Sequence, residues 1–250
     1  MSGPRTLALR RVGDQGQRVL LVHGWMMSSA VFDRLLEGWP ADGRQLALPD
    51  LAGAGGSSGL GGGFTLDEHL ADLIGVLDDL GWEDAAVVGH SMGGQLAQLL
   101  ASRYPQRVSA LALINPVPVG GLGLPEPAAR MFGASATERS LQPQILAAAT
   151  RQLVEADLRA LTECAAGVES QAITDGLEAW TRGAPTLVSG SIPWCAHVLA
   201  TDDPFLTPAL LHDQVVTPIG HASLTYVRGP GHYPLVERPL ATAAWLEAVL

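Results

Sequence analysis

Ala85-Ala86-Val87-Val88-Gly89-His90-Ser91-Met92-Gly93-Gly94 is the stretch on which the fold turns. Four small or β-branched apolar residues read as a strand buried on both faces. Gly89 to Gly93 then matches G-x-S-x-G. Beyond it Leu96, Leu99 and Leu100 recur on one helical face as far as Tyr104, and Pro105 stops the helix. The pentapeptide alone is a weak pattern, but between a strand and a helix it has the context it needs. A sharp strand-to-helix turn crowds its neighbours, so glycines at 89, 93 and 94 leave space. The same turn lifts the hydroxyl of Ser91 out of the sheet, beside the positive end of a helix.

Other segments repeat this rhythm. Arg18 to Val22 runs into His23-Gly24, Gln45 to Leu48 into Pro49-Asp50, and Val108 to Ile114 into Asn115-Pro116. Each is short, apolar and closed by turn residues. Helices separate them: Thr65 to Glu68 is a capping box ahead of Leu66, Leu70, Leu73, Ile74, Leu77 and Leu80 at helical spacing, with Gly81 as a stop. Strands alternating with helices imply an α/β domain with a mostly parallel central sheet. The rhythm breaks after Pro116. From about Pro125 to Pro185 the chain reads as helical, most clearly from Gln144 to Cys164, and strand patterns return at Cys195 to Thr201 and Ala222 to Val227 before a closing helix over Leu240 to Leu250. The expected organisation is a core of residues 1–118 and 191–250. A helical cap over 119–190 interrupts it after the fourth strand counted here.

A serine nucleophile needs a base, and the base needs an acid that holds its tautomer. Of the seven histidines, His232 sits in a loop just after the strand Ala222 to Val227. His221 and His197 fall at or inside strands, and His90 lies in the turn itself without easy reach over Ser91. Asp203 follows the strand Cys195 to Thr201. Asp202 is its rival, because one residue of loop would exchange them. Asp50 precedes the serine and is expected to order its own loop. Two backbone N–H groups should face the developing oxyanion. Met92, after the nucleophile, and Trp25, after His23-Gly24, are the candidates; each also reads as a core or pocket-wall residue. In the cap, Met131, Phe132 and Trp180 either line an acyl pocket or fill a helix core.

Composition narrows the chemistry further. All 15 basic residues of the 250-residue chain are arginine, which removes Schiff-base and Ser-Lys mechanisms and the P-loop lysine. No H-E-x-x-H or dinucleotide fingerprint is present, so no metal or organic cofactor is expected. A net charge of −10 disfavours nucleic acid and anionic membranes as partners. Neither a run of about 20 apolar residues nor the pattern of a signal peptide is found, so a cytoplasmic protein acting on a small molecule is expected. Cys164 and Cys195 form no disulfide framework and read as buried thiols.

Together these segments resemble the α/β-hydrolase fold superfamily. Leu21-Val22-His23-Gly24-Trp25 resembles its oxyanion loop, and Pro49 to Ser57 its D-L-P-G-H-G-x-S loop, with Ala52 and Ala54 departing from it. Gly89 to Gly94 resembles its G-H-S-M-G-G elbow, and Thr201 to Pro204 and Gly231-His232 its acid and histidine loops. Within the superfamily the chain is most similar to small serine carboxylesterases, such as the pimeloyl-carrier-protein methyl esterase, and to enol-lactone hydrolases. The resemblance implies hydrolysis of an ester, lactone or thioester through an acyl-enzyme. Two alternatives stay open: a C–C bond hydrolase or lyase on the same residues, and a binding protein that uses the pocket without chemistry.

Overall fold

The computed structural model describes residues 4–185 and 195–250. Among them seven strands form one sheet: β1 (Leu9–Val12), β2 (Gln17–Val22), β3 (Arg44–Pro49), β4 (Ala85–His90), β5 (Val108–Ile114), β6 (Ala196–Ala200) and β7 (Ala222–Tyr226), in the order β1-β3-β2-β4-β5-β6-β7. All neighbours pair in parallel except β1, which runs antiparallel to β3. The sequence pattern misses β1. It is an edge strand of four residues with two arginines and partial burial, so it carries no apolar run. Counting it, the helical excursion follows the fifth strand rather than the fourth.

Helices α1 (Asp33–Gly38), α2 (Leu66–Asp79) and α3 (Met92–Arg103) connect the first strands. The capping box before α2 is formed: Thr65 Oγ1 accepts from Glu68 N, and the Glu68 carboxylate accepts from Thr65 N. From β2 the chain turns to one side to make β3, then crosses to the other to make β4. The order therefore reverses between β2 and β4, whose carboxyl ends pair at Val22 and Gly89. Open α/β sheets place their sites at such a crevice, and here it receives His23 to Trp25 and Ser91.

Between β5 and β6 lie α4 (Glu126–Ala134), α5 (Gln142–Ala149), α6 (Glu155–Ala166) and α7 (Ser170–Arg182). The excursion leaves and returns at one place, since Ala184 N donates to Val119 O at 2.8 Å. The boundary anticipated at residues 190 and 191 lies outside the described residues. The helical stretch expected from Gln144 to Cys164 is two helices, broken at Thr150 to Val154. The reason is tertiary: Ala149 O accepts from His232 N at 2.8 Å, and the N–H groups of Arg151 and Gln152 go to Glu237. Helical carbonyls are thereby replaced as partners.

After β6 follow α8 (Pro208–Leu211) and α9 (Thr217–Ile219), and after β7 α10 (Pro234–Glu237) and α11 (Pro239–Val249). The core is continuous, from Val19 to Val22 and Ala85 to Val88 in the sheet to Leu35, Leu73, Leu96 and Leu246 on the helices around it. Cys164 is half-buried, and Cys195 is exposed rather than buried, because it precedes β6 instead of lying within it. Among the described residues no helix is long and apolar enough to cross a membrane.

Candidate active site

Ser91 caps the turn between β4 and α3 with φ 57° and ψ −122°, a conformation that L-residues seldom adopt. The glycines around it are required by contact. A Cβ on Gly93 would lie 2.1 Å from Val22 O, and one on Gly24 would lie 2.9 Å from Ser91 Cβ. Ser91 N donates to Ile114 O at 3.1 Å, which fixes the turn against β5.

Three side chains from three strand ends meet here. Ser91 Oγ lies 3.0 Å from His232 Nε2, and His232 Nδ1 lies 2.5 Å from Asp203 Oδ2. An ionised carboxylate only accepts, so Nδ1 carries the hydrogen and Nε2 is left to accept from the Ser91 hydroxyl. Burial pushes the Asp203 carboxyl up. The hydrogen bond from His232 and the attraction between the carboxylate and that ring when it is protonated, with the N–H groups of Leu206 and Phe205, outweigh this and hold it below the usual carboxylate range. Asp202 turns away: its carboxylate accepts from the Tyr226 hydroxyl and, at 2.8 Å, from Gly229 N. Asp50 ties two loops, accepting from Ser29 N and Gly56 N.

The histidine loop has supports that residue order alone does not reveal. His90 is fully buried, and burial with the nearby His232 pushes its pKa down to about 3, so it is neutral at ordinary pH. Its Nε2–H donates to His232 O at 2.9 Å. Asn115, at φ 39° just after β5, donates its Nδ2 to Thr201 Oγ1 and to the carbonyls of Gly231 and His232. His23 is spent on joining two loops, accepting from Leu51 N after β3 and pairing with Gly24 O in its own loop. The sequence signal that marks Asn115 is a polar residue directly behind the apolar run that ends at Ile114; its burial is seen only in the fold.

Trp25 and Met92 flank Ser91. Met92 opens α3, so its N–H is one of the helix's unpaired donors. Among the described residues no backbone carbonyl takes the N–H of either Trp25 or Met92. The Trp25 indole donates to Ile173 O on α7 at 2.8 Å. Its ring stacks on Phe132 of α4 at 5.5 Å and tilts against Trp180 of α7 at 6.0 Å. These rings, with Leu122, Ile145 and Phe205, wall a cavity of about 50 Å³ whose floor is Ser91 and His232. Phe132 and Trp180 therefore reach the pocket. Met131 does not line it, because the next residue of a helix points about 100° away; it packs against the core instead. The Met92 side chain lines a separate, smaller cavity with His23 and Leu51.

A family model described as "alpha/beta hydrolase fold" matches residues 17–161. Among curated proteins the chain is 37% identical over 111 residues to lipase LipV of Mycobacterium tuberculosis, a match covering 44% of this chain and 41% of that protein. It is 34% identical over 145 residues to the pimeloyl-[acyl-carrier protein] methyl ester esterase of Vibrio parahaemolyticus, covering 56% and 48%. The chain thus matches less than half the length of either relative. Among solved structures it superposes on an esterase from Exiguobacterium antarcticum with a TM-score of 0.87 at 16% identity, over 97% of this chain and 94% of that one. The enol-lactonase from Burkholderia xenovorans gives 0.80 at 21% identity, over 97% and 95%; at these identities the likeness concerns the fold. With the family model matched over more than half of its length, the chain belongs to the alpha/beta hydrolase fold family.

Proposed function

We propose that this protein is a serine hydrolase that cleaves a carboxylic ester, lactone or thioester through an acyl-enzyme on Ser91. The observation that carries this reading is the unbroken hydrogen-bonded chain from Ser91 Oγ through the His232 ring to Asp203. His232 Nε2 takes the Ser91 proton as Oγ attacks the carbonyl carbon. Asp203 holds the ring and stabilises the imidazolium, and the tetrahedral oxyanion lies toward the N–H groups of Trp25 and Met92. As the oxyanion collapses, the bond to the leaving alcohol or thiol breaks and His232 protonates it. Water, deprotonated by the same ring, then releases the acid and regenerates Ser91. The similarity to a lipase and to a methyl ester esterase supports this reaction class.

The pocket supports a small, uncharged acyl group. Its walls are aromatic and aliphatic, and its volume holds roughly three or four water-sized groups. The test is Ser91→Ala against p-nitrophenyl esters from acetate to octanoate, with fluorophosphonate labelling of the wild type. Activity confined to the wild type, highest on the short esters, is expected. Undiminished hydrolysis by Ser91→Ala would sink the assignment. A folded wild type that resists the label would favour a binding function.

A further inference from the structure

Glu237 ends α10 and is buried, yet its carboxylate is filled by backbone N–H groups from two separate parts of the chain. Oε2 accepts from Arg151 and Gln152, both at 2.8 Å, in the break between α5 and α6. Gly231 N reaches both oxygens at 3.0 Å, and Tyr233 N reaches Oε1 at 3.2 Å. The carboxylate thus grips the residues on either side of His232. The His232 N–H between them goes to Ala149 O, the last residue of α5. Gly231 lies so close to this segment that a Cβ there would sit 2.4 Å from Ala149 O. On the opposite side, the carbonyls of Gly231 and His232 are held by Asn115 and His90.

The same α5 segment faces the pocket, since Ile145 and Ala149 belong to its wall. A group that fills the pocket presses on α5, and α5 is joined to the histidine loop through Glu237 and Ala149. Hydrogen bonds to a charged acceptor are about twice as strong as neutral ones. Four donors on one carboxylate therefore make a stiff joint where neutral side chains would not.

We propose that Glu237 is a positioning residue that couples the seating of the α5–α6 segment to the alignment of His232 with Ser91. Its catalytic consequence rests on the serine-hydrolase reading; the mechanical joint does not. Glutamine keeps the shape but is neutral and sets an NH2 group against either Tyr233 N or the N–H groups of Arg151 and Gln152, so its hold on the two segments is weaker. Aspartate keeps the charge but is one methylene too short to span them.

The test uses the whole chain as wild type, Glu237→Gln and Glu237→Asp, each checked for native far-UV circular dichroism. Amide hydrogen exchange is read on peptides containing 149–152 and 230–233. Both segments are expected to exchange about tenfold faster or more in both variants, while β4 and β5 keep wild-type rates. On p-nitrophenyl butyrate, kcat is expected to fall roughly 10- to 100-fold with KM within about twofold. Faster exchange at 149–152 with unchanged 230–233 and unchanged kcat would overturn the coupling. So would wild-type exchange in both segments. A wild type with neither hydrolysis nor fluorophosphonate labelling overturns the hydrolase reading instead, and the exchange data alone then decide the joint.

Discussion

Asp203 Oδ2 lies 2.5 Å from His232 Nδ1, whereas the neighbouring Asp202 spends both its oxygens on Tyr226 and Gly229. Two adjacent carboxylates are thereby given different tasks by the direction in which one loop turns. Asp203→Asn is expected to lower kcat/KM by about 10³- to 10⁴-fold, because an amide favours the wrong imidazole tautomer. Asp202→Asn is expected to stay within about twofold of wild type. Steady-state kinetics on p-nitrophenyl butyrate check both. Equal losses in the two variants would refute the assignment.

Ser91 at φ 57° stores backbone strain. Glycine accepts that conformation and alanine does not. Ser91→Gly is therefore expected to be more stable than Ser91→Ala by about 1 kcal/mol, the strain relieved less the extra entropy of an unfolded glycine. Both variants should be inactive, so chemical denaturation is the readout. An alanine variant at least as stable as the glycine one would contradict the argument.

Phe132 stacks on Trp25 at 5.5 Å and walls the small cavity. Phe132→Ala should lengthen the pocket and move the best p-nitrophenyl ester toward longer acyl chains. A stability loss of roughly 3 kcal/mol should accompany it, because the ring is almost fully buried. A variant with an unchanged chain-length profile would place the acyl group elsewhere.

Burial pushes the pKa values of His69 and His90 down to about 3 from an ordinary 6.5. Below pH 6.5 the unfolded chain takes up protons that the folded one refuses, so stability falls as pH falls. Each ring contributes up to about 1.4 kcal/mol per pH unit, and the loss continues until the folded rings protonate. Between pH 6.5 and 5 ordinary carboxylates stay ionised, and the histidines dominate the slope. Burial lowers the pKa of His23 as well, so urea midpoints should fall across this range in the wild type and less steeply, by about a third, in His69→Leu. A flat wild-type curve would show that these rings are not buried neutral.

Much of the architecture was legible because it depends on local rules. Strands buried on both faces need continuous apolar runs, and a strand-to-helix turn needs small residues. These requirements marked β2 to β5, the turn at Ser91, and loops carrying Asp203 and His232 at later strand ends. Edge strand β1 left no such trace, since a half-exposed strand of four residues tolerates arginine.

What the tertiary structure alone decided is the set of interactions with distant partners. Residue order put Asp203 first and kept Asp202 in reserve, because both follow β6 and only the loop's turn aims one at His232. Helical periodicity could not separate α5 from α6, since the helix is interrupted by partners more than 80 positions away. Phe132 rather than Met131 meets the pocket because α4 packs with that face inward. Ser91 stands out locally because strain and crowding act between neighbours. The grip of Glu237 on the histidine loop and on Arg151 and Gln152 has no local signature, because a carboxylate bound to backbone N–H groups imposes no residue type on its partners.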